Sequence, residues 1–205
     1  EDHQHEVDEV VDVDQDGLLD LVVFSRLEPL RVWLQGEQDA DGKPSFRDVS
    51  SAPAFRKGLV DNLEAAALTL ADVDGDGRSE LLVGRVGFAR ALRLGADGKL
   101  TVVDQYNARD SAGEISTAFA VQSAKGQAPW LVLYDRKAER FDVLRADAKR
   151  VYQVVDTLPV GKIEVVGTEV RVDPASGRTE VFVFGKDRFW WMPLGQTGLA
   201  VKDDE

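Results

Sequence analysis

The sequence predicts an all-β fold of four like modules, on three observations. First, Gly17, Gly77, Gly126 and Gly177 open four segments that align without a gap: GLLDLVV, GRSELLV, GQAPWLV and GRTEVFV. Each ends on a valine (Val23, Val83, Val132, Val183) preceded by two apolar residues. Second, the spacings between those glycines are 60, 49 and 51 residues, a period that marks repeated supersecondary units. Third, the apolar runs are short and are bounded by Gly, Pro and Asp/Lys clusters such as EQDADGKP and GADGK, which read as hairpin turns.

Taken in order, each module reads as four short strands. The first precedes the glycine: EVVDVD, AALTLADVD, ISTAFAVQS and IEVVGTEVRV. The second follows it: LDLVVF, ELLVGR, PWLVLY and TEVFVF. The third is LRVWLQ, ARALRL, RFDVLR and RFWWMP; the fourth is FRDVSS, LTVVDQY, RVYQVVDTL and, weakly, GLAVK. In this register Val32, Leu92, Phe141 and Met192 fall together, as do Leu34, Leu94, Val143 and Leu194, and Trp130 takes the core position of Leu21. Near-continuous apolar second strands predict burial on both faces, as when one sheet stacks on the next. Four-stranded units repeated radially make a β-propeller, here with approximate blades 7–58, 62–110, 114–161 and 162–201 in one domain. A sandwich of similar hairpins is the alternative, and the fifty-residue register favours modules over it. Segment 51–70, which contains DNLEAAAL, reads either as a short helical insertion or as the lead-in to the second module. Four blades would close a small ring or form an arc of a six- to eight-bladed one; neither end supplies an obvious closing strand, which favours the arc.

Composition narrows the partners. The 205 residues carry a formal net charge of −12 and no cysteine. Disulfides, thiolate metal sites and cysteine nucleophiles are therefore excluded, and an acidic surface argues against a nucleic-acid partner. No apolar run approaches the ~20 residues that span a bilayer. The chain begins at Glu1 rather than Met and reads as a processed product or an excerpt.

The segments VDVDQDGLLDLVV and ADVDGDGRSELLV raise a sharper question. Asp12, Asp14, Asp16 and Asp20 sit within nine residues, as do Asp72, Asp74, Asp76 and Glu80. Like charges packed that closely repel unless a cation lies between them. Carboxylates at loop positions 1, 3, 5 and 9, a glycine at 6 for the turn and an inward carbonyl at 7 (Leu18 or Arg78) make a hard oxygen set suited to calcium. An EF-hand would need glutamate at position 12 and flanking helices, but Val23 and Val83 stand there inside strands. Magnesium prefers a compact octahedron with retained waters, and zinc prefers histidine or thiolate. Two calcium ions would bring the net charge to −8.

These residues resemble the FG-GAP/VCBS repeat, the calcium-loop blade motif of integrin α-subunit propellers and many bacterial surface proteins. The resemblance covers the loops and second strands of modules one and two closely, and modules three and four by strand pattern. It implies a propeller whose first strands line the central channel. By matching position, it implies that Asp12, Asp14, Asp16, Leu18 and Asp20 hold one ion and Asp72, Asp74, Asp76, Arg78 and Glu80 hold another. Glu80 departs from the usual aspartate. Modules three and four have lost the ligands: Val121, Ser123, Lys125 and Pro129 stand in one, and Val172, Pro174, Ser176 and Glu180 in the other, with Asp173 one residue out of register.

The remaining candidates are weighed by chemistry. His3 and His5 form an HxH beside Glu1, Asp2 and Glu6; as the only histidines, at the chain's end, they are read as a frayed terminus. Trp190 is assigned to the core and Trp191 to a more exposed position, where it would pack between blades or stack on a sugar; Trp33 and Trp130 are read as packing. Arg26, Arg31, Arg85, Arg90 and Arg93 would cluster for an acidic partner or, more simply, pair with the acidic excess. The expectation is a non-enzymatic, calcium-binding structural or protein-interaction platform that is extracellular, cell-surface or periplasmic. The rival is a glycan-binding or polysaccharide-lyase-type propeller, for which Trp191, Tyr106 and the arginines are the available groove residues.

Overall fold

The computed structural model describes residues 5–25, 29–38, 40–121, 128–172 and 179–193. Among the described residues fifteen strands form four antiparallel sheets in chain order. The first holds β1 (His5–Val11), β2 (Asp20–Ser25), β3 (Arg31–Gln38) and β4 (Pro44–Asp48). The second holds β5 (Leu68–Ala71), β6 (Glu80–Arg85), β7 (Phe88–Leu94) and β8 (Leu100–Asn107). The third holds β9 (Ile115–Val121), β10 (Trp130–Asp135), β11 (Arg140–Ala146) and β12 (Tyr152–Pro159). The fourth holds β13 (Val165–Val172), β14 (Thr179–Gly185) and β15 (Phe189–Pro193); the weak strand GLAVK lies outside the described residues. Among the described residues no helix is long and apolar enough to cross a membrane.

Burial along the second strands orders the sheets. Every residue of β10 is buried, as are the first five of β6, so sheets two and three are covered on both faces. In β14 only Val181 and Val183 are buried, one face of an alternating strand. Three apolar layers result. Val22, Val32 and Leu34 of sheet one meet Leu81, Val83, Leu92 and Leu94 of sheet two. Leu82, Ala89, Ala91 and Tyr106 of sheet two meet Ile115, Ala118, Leu131 and Leu133 of sheet three. Phe119, Val132, Tyr134 and Phe141 of sheet three meet Val181, Val183, Trp190 and Met192 of sheet four. Among the described residues no apolar cluster joins sheet four to sheet one.

The gap-free alignment identifies the strands but not the faces they present. Leu81 and Val181 point toward the preceding sheet, whereas Trp130, their counterpart in the alignment, points toward the following one. Val32 and Phe141 likewise face forward, and Leu92 and Met192 backward. For Val32 and Leu92 the cause is register. β2 pairs Val22 with Val32, but β6 pairs Leu82 with Ala91, so the third strand of sheet two is displaced by one residue. With side chains alternating at period two, a single-residue offset turns each to the opposite face.

Segment 51–70 is a short helical insertion of 3-10 type that leads into the second sheet. It winds through 3-10 turns at Pro53–Phe55, Lys57–Leu59 and Ala65–Ala67 before β5 begins at Leu68. Phe55 and Val60 anchor it in the first apolar layer. Arg85 ties it down from β6, donating to the Leu59 and Asp61 carbonyls at 2.6 Å each. Where β6 of sheet two meets β9 of sheet three, Gly84 is required, because a Cβ there would collide with the Ile115 carbonyl.

Candidate metal-binding loops

Each acidic loop joins the first and second strands of its sheet, and the two are built alike. The first runs between β1 and β2, the second between β5 and β6. Gln15 and Gly17 in one, and Gly75 and Gly77 in the other, take positive φ values of 66° and 92° and of 80° and 89°. Position 4 of the loop therefore needs the left-handed conformation as much as position 6 does. Glycine meets that need without strain at 75, whereas Gln15 carries a side-chain cost.

Backbone N–H groups organise the carboxylates. Asp12 accepts from Asp16 and Gly17 at 3.0 Å each, and Asp72 accepts from Gly75 at 2.6 Å and Gly77 at 2.9 Å. Asp16 accepts the Leu18 N–H and Asp76 the Arg78 N–H, both at 2.8 Å. The fourth carboxylate of each loop is fully buried and turns back to the second residue of its own loop: Asp20 accepts from Val13 at 2.8 Å, Glu80 from Val73 at 3.2 Å. Gln15 also reaches across to donate to the Ser79 carbonyl at 2.9 Å, so the loops of adjacent sheets touch.

Three carboxylates of each loop converge. Asp12, Asp14 and Asp20 each offer an oxygen within 4.8 Å of the others, and Asp72, Asp74 and Glu80 do the same. Asp16 and Asp76 lie outside these triads, exposed and serving as turn acceptors. An all-oxygen donor set, two partly buried carboxylates and one buried, fits a hard divalent cation. The first loop also shows the electrostatic cost of its packing. Burial, then the charges of Asp16 and Asp20, raise the Asp14 carboxyl above its ordinary value. Burial likewise raises Asp20, against the hydrogen bonds from Gln35 and Val13. In the second loop a guanidinium enters: Arg93 of β7 pairs with Glu80, with Asp74 at 3.2 Å and with Asp76 at 3.3 Å.

The other sequence candidates scatter. Arg85 serves segment 51–70, and Arg90 stacks 4.7 Å over Phe88 and donates to Gln105 at 2.8 Å. Arg31 is exposed on β3, and Arg26 lies outside the described residues. Arg85 and Arg90 lie close enough for the Arg90 charge to act on Arg85, whereas Arg93 turns into the second acidic loop. Tyr106 is 2% exposed, packs edge-on against Tyr152 with centroids 4.9 Å apart, and lines a small cleft together with Tyr152, Asp74 and Arg150. Burial drives its hydroxyl far above the ordinary value and pushes that of Tyr152 up to about 12. Trp190 and Trp130 are core residues, while Trp33 and Trp191 are half-buried. Two clefts, of 270 and 170 Å³, are smaller than the ~300–1,000 Å³ of usual small-ligand pockets. His3, Ser123, Lys125, Asp173, Pro174 and Ser176 lie outside the described residues; Val121 is a buried end of β9, and Glu180 pairs with Arg171 at 3.2 Å.

Fold and loops together define an all-β repeat protein with a twinned acidic turn. Residues 12–83 match the model of the FG-GAP-like repeat family, a span that opens on Asp12 and closes on the valine ending the second repeated segment. The match runs from the first acidic loop into β6 and marks a likeness of that stretch to the repeat. A search of curated proteins finds no match.

Proposed function

We propose that the chain is a calcium-stabilised β-propeller module that acts as a protein-interaction platform outside the cytoplasm. The observation that carries this reading is the pair of convergent carboxylate triads at equivalent turns of an FG-GAP-like repeat. The ligand sets are Asp12, Asp14, Asp16, Leu18 and Asp20 and, in the second loop, Asp72, Asp74, Asp76, Arg78 and Glu80, the leucine and arginine through their carbonyls. The ions pin hairpins rather than perform chemistry, since a loop supplying this many protein oxygens leaves little open coordination. The four sheets form an arc of a larger ring, a reading supported by the half-exposed aromatic face of Phe184 and Phe189 on sheet four. Sites of moderate affinity fill at the calcium levels outside cells, where modules work at ~10⁻⁴–10⁻³ M. Chelation is expected to lower the melting temperature, and calcium to restore it. An unchanged melt in protein shown to be metal-free would overturn the reading.

A further inference from the structure

The two loops differ in one respect that their sequences hide. In the first, the Oδ1 of Asp20 accepts the backbone N–H of Gln35 at 2.8 Å, and no described arginine or lysine forms a salt bridge with Asp12, Asp14, Asp16 or Asp20. In the second, the corresponding Oε1 of Glu80 accepts from the Arg93 guanidinium, which also contacts Asp74 and Asp76. Two of those three carboxylates, Asp74 and Glu80, belong to the convergent triad. The pairing follows from strand register. Leu81 lies opposite Leu92, which brings Glu80 and Arg93, the next residue on each strand, side by side. The longer arm of Glu80, where the first loop has aspartate, reaches the same cation.

We propose that Arg93 is the resident counter-ion of the second loop, so that the chain binds one divalent ion readily, at the first loop, and a second only when Arg93 is displaced. This rests on the calcium reading above. A guanidinium cannot be deprotonated in a protein, so it leaves the loop only by swinging out. Arg93 is about one-third exposed and has water to swing into, whereas Glu80 is fully buried and cannot follow. A divalent ion entering the second loop must break those ion pairs and bear the repulsion of any guanidinium that stays. The first loop imposes neither cost.

Calcium titration by calorimetry and equilibrium dialysis tests this on the whole chain, with Asp14→Asn and Asp74→Asn assigning the sites. Wild type is expected to take one ion, lost in Asp14→Asn and kept in Asp74→Asn, with the second loop at least about tenfold weaker. Arg93→Gln, whose amide can still donate to Glu80, is expected to take two ions, the second lost when Asp74→Asn is added. Arg93→Lys keeps the charge and is expected to stay at one, which guards against a result that reflects misfolding of the glutamine variant. Two equal ions in wild type, or a single ion in folded Arg93→Gln, would overturn the role of Arg93 and leave the calcium reading intact. If wild type binds none, the reading of the first loop fails. Arg93→Gln then decides alone: one ion gained supports the role of Arg93, and none overturns it.

Discussion

Stripping calcium from the first loop should lower stability by an amount that can be worked out. Three carboxylate oxygens are held within 4.8 Å, one of them on the fully buried Asp20. Backbone N–H groups from Val13, Asp16 and Gly17 already satisfy part of their hydrogen bonding, so the loop keeps its shape without metal and the ion adds an increment. With a dissociation constant of about 10⁻⁴ M and about 2 mM free Ca²⁺, mass action supplies roughly 1.8 kcal/mol. For a chain of this size about 1 kcal/mol moves the midpoint by 2–4 °C, so the expected rise is about 4–7 °C. Circular dichroism melts in chelator and in calcium measure it. Asp14→Asn should abolish the rise and should melt no lower than wild type in chelator, because it removes repulsion along with a ligand. Wild type that melts alike in both conditions would refute the reasoning, as would a full calcium response in Asp14→Asn.

The remaining predictions concern pH and packing. Asp14 and Asp20 have folded-state pKa values raised above 3.8, so their contribution to metal-free stability is present below that value and lost as pH rises through the raised ones. The calcium-induced melting shift should accordingly be largest near neutral pH and shrink on acidification, as protons compete for the same oxygens; melts with and without calcium across that range check it. Gly77→Ala places a Cβ in open space at φ 89° and should cost about 1–2 kcal/mol of conformational strain in chemical denaturation. Gly84→Ala should cost more, since its Cβ meets the Ile115 backbone between two packed sheets. Arg85→Gln removes charge-assisted bonds to the Leu59 and Asp61 carbonyls; a loss of about 1.5–3 kcal/mol and faster proteolysis within residues 51–67 are expected.

What the sequence determined by itself is local. Four repeated segments, their strands and both acidic turns are legible because glycine, alternating aspartates and apolar runs act over a few residues. β6 falls on its expected span, and the two triads fall within the carboxylates singled out beforehand. What only the tertiary structure decided is facing and reach. The aligned columns put Trp130 with Leu21 and Leu81, yet Trp130 faces the following sheet and Leu81 the preceding one; alternation fixes that neighbours on a strand face opposite ways, and only packing fixes which way. Tyr106 packs between sheets two and three against Tyr152, a partner 46 residues away that strand order alone does not reveal. Arg93 lies 13 residues from Glu80 along the chain. Only the β6–β7 pairing brings its charge into the acidic loop, and a charge acts through distance in space, which the order of residues does not record.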